Sequence, residues 1–144
     1  MKVIILCGIS GSGKSTIAKE IGSGYVVSAD DFFRASGEYK FDPTMLPAAH
    51  GQCLRKFVGC LQYGCDTIVV DNTNTTVMEV APYAALALAY GYELVIKIIH
   101  CDPIIAHARN LHGVPLHSVC DQSMRLASLK KYLPPWWAVE EITP

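Results

Sequence analysis

The chain has 144 residues, of which 51% are apolar and 17% charged, with a formal net charge of −1. The length suggests one domain over 1–144, and the apolar share excludes a disordered chain. Near-zero net charge excludes a global basic field, so any nucleic-acid contact has to come from a local patch.

The six cysteines, Cys7, Cys53, Cys60, Cys65, Cys101 and Cys120, form no C-x-x-C pair, and most lie in apolar stretches. Such cysteines behave as small hydrophobes, which together with the absence of a leader before the first strand-like run predicts a reducing, cytoplasmic setting. No apolar run reaches the roughly 20 residues of a membrane helix.

In chain order, KVIILC (2–7) is a continuous apolar run of strand length. Residues 14–21 read as a helix with Ile17, Ala18 and Ile21 on one face, ended by Gly22 and Gly24. YVVS (25–28) is a second strand. Asp42 is placed as the N-cap of a helix opened by Pro43 and running to about Tyr63, with Pro47 in its first turn or at a kink. TIVVD (67–71) lacks alternation, which predicts a strand buried on both faces. Residues 77–90 are alanine-rich and helical, and YELVIKIIHC (92–101) is a fourth strand. A short helix over 103–110, a break at HGVP, a last helix over 116–132 and a PPWW tail complete the chain. Alternating strands and helices predict an α/β fold with a parallel sheet, whose ligands bind at the carboxyl ends of the strands.

Three unusual stretches fall at such ends. GISGSGKS (8–15) satisfies G-x-x-x-x-G-K-[ST] between a strand and a helix, the context that motif requires. Its glycines let the backbone amides turn inward as an anion nest at a helix N-terminus. Gly8, Ser10, Gly11, Ser12, Gly13, Lys14, Ser15 and Thr16 are therefore the expected contacts to ATP. Lys14 is expected to reach the β- and γ-phosphates and Ser15 to hold Mg²⁺. The cradle alone leaves open whether the protein hydrolyses, transfers or senses.

The second end, SADDFF (28–33), places Asp30 and Asp31 beside the cradle. A hydroxyl acceptor needs a base to take its proton, and Asp30 is the expected one. Asp31 either points outward, caps the next turn or supports Asp30. Phe33 is either a core anchor or a platform that stacks on an acceptor base, and Arg34 is placed to bind an acceptor phosphate. The third end, DNTN (71–74), offers Asp71 as a second Mg²⁺ ligand, and Asn72, Thr73 and Asn74 as hydrogen-bonding groups for an acceptor. The competing reading has this stretch begin a turn, with Asn74 or Thr75 capping the following helix. In ARNLHGVP (108–115), Arg109 in a lid over about 107–116 is expected to neutralise charge on the phosphates; the alternative is an arginine complementing a helix dipole. His112 is a weaker candidate.

GISGSGKST, SADDFF, DNTN followed by PYAALALAYGY, and ARNLHGVP in this order resemble the small P-loop kinases related to the 5′-hydroxyl polynucleotide kinase domain of phage end-healing enzymes. The nearest version is that of NEDD4-binding-protein-2-like proteins. The resemblance runs over about residues 2–130. It implies a three-layer P-loop kinase fold with a central, mostly parallel sheet of four to five strands and a small lid. It implies ATP- and Mg²⁺-dependent transfer of the γ-phosphate to a hydroxyl, most directly a polynucleotide 5′-OH. It carries Lys14 and Ser15 as phosphate and metal residues, Asp30 as general base, Asn72 and Asn74 near the acceptor, and Arg109 as a lid residue. The family's acceptor-phosphate arginine falls here on Phe33, with Arg34 one place late, so a small hydroxyl acceptor stays open as the substrate. A non-catalytic ATP-binding module is the reading from a different class. For the tail (133–144), with Trp136 and Trp137, docking on its own domain competes with a dimer contact.

Overall fold

The computed structural model describes residues 1–22 and 24–143. Five strands, β1 (Lys2–Cys7), β2 (Val26–Val27), β3 (Thr67–Asp71), β4 (Glu93–Ile99) and β5 (Ala138–Ile142), form one sheet in the order β2-β3-β1-β4-β5. Every neighbouring pair is parallel. Parallel pairing requires a crossover between strands, and the chain supplies helices for it: α1 (Lys14–Ile21), α2 (Asp30–Phe33), α3 (Leu46–Tyr63), α4 (Val77–Ala89), α5 (Pro103–Arg109) and α6 (Leu116–Tyr132). Among the described residues no helix is long and apolar enough to cross a membrane.

Side chains alternate across a strand, so the central strands serve two layers at once. Val3, Ile5, Ile68, Val70, Ile96 and Ile98 face the main core with buried residues of α3, α4 and α6. Ile4, Leu6, Val69 and Ile99 face a smaller cluster with Ala18, Ile17 and Ile21 of α1. Burial on both sides explains why these strands read as unbroken apolar runs. In α3 the buried residues are Ala49, Cys53, Phe57 and Leu61, a stripe at steps of four that lays one helix face on the sheet.

The expected helix from Pro43 is split. Pro43–Met45 form a single 3₁₀ turn, capped by Asp42, whose carboxylate accepts from the Thr44 N–H at 3.0 Å. The α-helix begins at Leu46 and holds Pro47 in its first turn, where a missing N–H costs nothing. The cap of α4 is Thr76, not Asn74 or Thr75: its side chain accepts from Glu79 N, and its hydroxyl donates to Glu79 Oε1 at 3.0 Å. The tail supplies β5, which pairs with β4 from Val95↔Ala138 to Ile99↔Ile142. It docks on its own domain, as the simpler reading had it. Exposed charges fasten it, with Lys97 3.2 Å from Glu140 and Lys130 2.9 Å from Glu141. Trp136 stays exposed, whereas Trp137 packs against the main core.

Candidate active site

β1, β2 and β3 all end at one edge of the sheet, and the three unusual stretches meet there. The Gly8–Gly13 loop leaves β1 and enters α1. It is pinned to the third strand end by Gly8 N–H donating to the Thr73 carbonyl at 2.9 Å. Asn74, at φ 48°, donates its amide to the Leu6 carbonyl at 2.8 Å. Asn72 accepts from the Ala29 N–H at 2.9 Å and donates to Cys53 Sγ at 3.6 Å. Both asparagines are buried, so their amides hold three strand ends together and are committed to the protein's own groups. Thr73 contributes its carbonyl to the same knot.

The loop lies under α5. At Gly11, φ is +83°, and a Cβ there would sit 2.0 Å from the Ala106 carbonyl oxygen. Only glycine permits that approach. Ser10 N–H donates to Gln122 Oε1 of α6 at 2.8 Å, so a helix 112 residues along the chain helps shape the loop. Ser12 Oγ is buried without a protein partner among the described residues. Ser15 and Thr16 open α1 and are exposed.

Lys14 is buried, and its Nζ donates to the Ile9 carbonyl at 2.9 Å. Burial pushes its ammonium below the usual lysine range, while the charges of Asp71 and then Asp30 hold it up. Ser15 Oγ donates to Asp71 Oδ2 at 3.0 Å. Burial pushes the Asp71 carboxyl up, opposed by Lys14 and by the Ser15 hydroxyl; Asp30 and Asp31 add to the rise. The acids of two strand ends thus share the field of one lysine at the mouth of the glycine loop. An orphaned hydroxyl and a lysine bonded to a mere carbonyl both leave capacity for an anion.

Asp30 occupies the first turn of α2, with Ser28 Oγ accepting from its N–H at 3.2 Å. Its Oδ1 accepts from the Tyr39 hydroxyl at 3.4 Å, and its Oδ2 lies 3.8 Å from His112 Nε2. Asp31 turns outward to Arg34, 3.6 Å away, and both are well exposed. Arg34 also reaches His112 Nε2 at 3.5 Å, and its guanidinium stands 5.7 Å above the Tyr39 ring. This arginine, one place late in the sequence, thus lies against Asp31 and the two rings that flank Asp30.

One alternative, Phe33 as a stacking platform, is corrected, and Arg109 is engaged elsewhere in this structure. Phe33 is 5% exposed and packs edge-on against Phe32, Tyr39 and Phe41 with centroids 5.1 to 6.2 Å apart, so it is a core anchor with no free face for an acceptor base. Arg109, at the end of α5, meets Cys101 Sγ at 3.0 Å. From the loop that follows Arg109, His112 is the residue that comes near Asp30. Tyr39 and His112 are the members of the site that sequence reasoning missed or ranked low, and their ring stacking, with centroids 4.2 Å apart, joins loops distant in sequence.

Human NEDD4-binding protein 2 is 32% identical over 120 residues, covering 78% of this chain and 7% of that protein. A protein of Autographa californica nuclear polyhedrosis virus, named for a bifunctional polynucleotide kinase/RNA ligase, is 27% identical over 124 residues, covering 76% of this chain and 18% of its own length. The chain thus spans less than a fifth of either curated relative. A solved structure from Chloroflexus aurantiacus, named as a kinase, superimposes with a TM-score of 0.69 at 14% identity, over 99% of this chain and 87% of the other. At that identity the likeness speaks for the fold alone: an α/β P-loop kinase sheet flanked by helices. Residues 3–112, most of the chain, match the family model described as an AAA domain, and the chain belongs to that family of P-loop, nucleotide-binding proteins.

Proposed function

We propose that this chain is an ATP- and Mg²⁺-dependent phosphotransferase that phosphorylates the 5′-hydroxyl end of a polynucleotide. The observation that carries the reading is the meeting of two strand-end acids at the glycine loop: Asp71 is bonded to Ser15 beside the buried Lys14, and Asp30, held by the Tyr39 hydroxyl, acts on the same lysine. A hydrolysing switch has no need of such an acid.

The residues fit the groups required. The glycine loop offers backbone N–H groups and the unpartnered Ser12 hydroxyl to phosphate oxygens. Lys14 would exchange its bond to the Ile9 carbonyl for a phosphate, regaining a full counter-charge. Among the described residues no three His, Cys, Asp or Glu side chains form a ready metal cage. Ser15 and Asp71 are nonetheless the kind of sparse oxygen pair that holds Mg²⁺ together with substrate phosphates. Bound there, the ion would screen the phosphate charge and orient it for transfer. Asp30 takes the proton of the acceptor hydroxyl as its oxygen bonds to the γ-phosphorus and the bond from that phosphorus to the β-phosphate oxygen breaks, releasing ADP. Arg34 supplies charge for an acceptor phosphate, and Arg109 is free to leave Cys101 for the nucleotide.

The test is transfer of labelled γ-phosphate from ATP to 5′-OH RNA and DNA oligonucleotides, with small hydroxyl compounds as parallel acceptors. Labelled oligonucleotide ends support the proposal. Turnover on small acceptors alone would overturn the polynucleotide assignment, and no transfer to any acceptor would overturn the kinase.

A further inference from the structure

His112 sits in the loop between α5 and α6, yet its side chain lies against residues that follow β2. Its ring lies against Tyr39 with centroids 4.2 Å apart and planes at 33°. Its Nε2 faces two groups at once, Asp30 Oδ2 at 3.8 Å and Arg34 Nη2 at 3.5 Å. The loop is shaped for this: Asn110 Oδ1 accepts from the His112 N–H at 2.8 Å, which fixes the turn that delivers the ring. Asp31 stands behind Arg34, at 3.6 Å.

One ring nitrogen cannot serve both neighbours in the same way. Carrying hydrogen, Nε2 can only donate, and Asp30 is the acceptor. Bare, it can only accept, and Arg34 is the donor. The imidazole thus meets the acid expected to take the acceptor's proton, the guanidinium expected to bind the acceptor's phosphate, and the tyrosine that holds the acid's other oxygen.

We propose that His112 is a positioning residue of the phosphoacceptor site, supplied by the lid loop, which sets Asp30 and Arg34 in register with each other so that the acceptor side is complete only while the lid loop lies against Tyr39. This rests on the kinase reading above. It predicts that an acceptor recognised jointly by Asp30 and Arg34, a hydroxyl with a neighbouring phosphodiester as at a polynucleotide 5′ end, depends on His112 more than a small neutral alcohol does.

The experiment compares His112→Ala, His112→Gln and wild type in transfer to a 5′-OH oligonucleotide, and follows the imidazole ¹⁵N resonances of His112 in otherwise wild-type, Asp30→Asn and Arg34→Gln proteins at one pH. We expect His112→Ala to lower kcat about tenfold or more while the KM for ATP stays within about twofold, and His112→Gln, which can donate or accept at that place, to recover most of the loss. We expect the His112 resonances to move in both Asp30→Asn and Arg34→Gln. Resonances indifferent to both substitutions, or a His112→Ala kcat within about twofold of wild type, overturn the positioning role while leaving the kinase standing. A kcat loss accompanied by an equal loss of ATP affinity, with no recovery in the glutamine variant, overturns it in favour of a purely structural loop. Wild type that transfers phosphate to no acceptor removes the kinase reading, and this role with it.

Discussion

Ser15 Oγ donates to Asp71 Oδ2 across 3.0 Å, tying the first turn of α1 to the end of β3. This hydroxyl and desolvated carboxylate are the pair to which the proposal gives Mg²⁺. ATP at about 100 times its Kd should stabilise the fold by about 2.7 kcal/mol, or about 5–10 °C in Tm for a chain of this size. Most of that gain should vanish when Mg²⁺ is chelated. In Ser15→Ala and Asp71→Asn the Mg²⁺-dependent part should be absent. Thermal melts with ATP, with and without chelator, check this; an unchanged Mg²⁺ response in both variants would contradict the metal assignment.

The proposed role of Asp30 is on the acceptor, so Asp30→Asn should lower kcat by about 10²–10⁴ while leaving ATP affinity near wild type. Lys14→Ala should damage both, because its ammonium lines the glycine loop. Single-turnover transfer with a parallel nucleotide-binding titration separates the two. An asparagine variant that binds ATP weakly but turns over at the wild-type rate would move Asp30 to the nucleotide side.

Gly11 and Gly13 make a controlled contrast. Both have positive φ, at +83° and +97°, but a Cβ at Gly11 meets the Ala106 carbonyl at 2.0 Å, whereas one at Gly13 meets nothing within 4 Å. Gly13→Ala should cost about 1 kcal/mol of stability from backbone strain. Gly11→Ala should cost clearly more, about 2–4 kcal/mol, since α5 must also move. Urea unfolding of the two variants measures the difference; equal costs would mean that α5 does not rest on the loop in solution.

Tyr39 gives the site a signature at high pH. Burial, then the charge and hydrogen bonding of Asp30, push its phenol up to about 12, with Arg34 pulling the other way. A free phenol titrates at about 10, so the folded chain holds this proton more tightly than the unfolded one. The resulting stabilisation is whole below pH about 10 and is lost as the pH rises through about 12. Stability of wild type minus that of Tyr39→Phe should therefore shrink over that window. A difference constant with pH would place the Tyr39 hydroxyl away from Asp30.

Much of this architecture was legible because the signals are local. The glycine loop needs no partner to be recognised, and a four-residue stripe such as Ala49, Cys53, Phe57 and Leu61 shows its period within one helix. What was not legible depends on partners far along the chain. Asn72 and Asn74 look like ligand groups in DNTN, but the carbonyl that occupies Asn74 is 68 residues away. His112 looks like a solvated loop residue until Arg34, 78 residues earlier, is folded against it. AVEEI in the tail carries two exposed glutamates and no apolar run, so its strand character comes from the ladder that β4 offers it.

That last strand has a consequence for how copies of the protein meet. A sheet's rims are templates for further strands, and long, flat, apolar rims invite them. Here one rim, β2, is only two residues long, and the other, β5, carries Glu140 and Glu141 in contact with Lys97 and Lys130. Shortening the chain before Ala138 would strip that cover and bare the edge of β4 from Val95 to Ile99, with Ile96 and Ile98 between them. The truncated protein should then be lost first to strand-on-strand clumping, at a chain concentration the intact one tolerates.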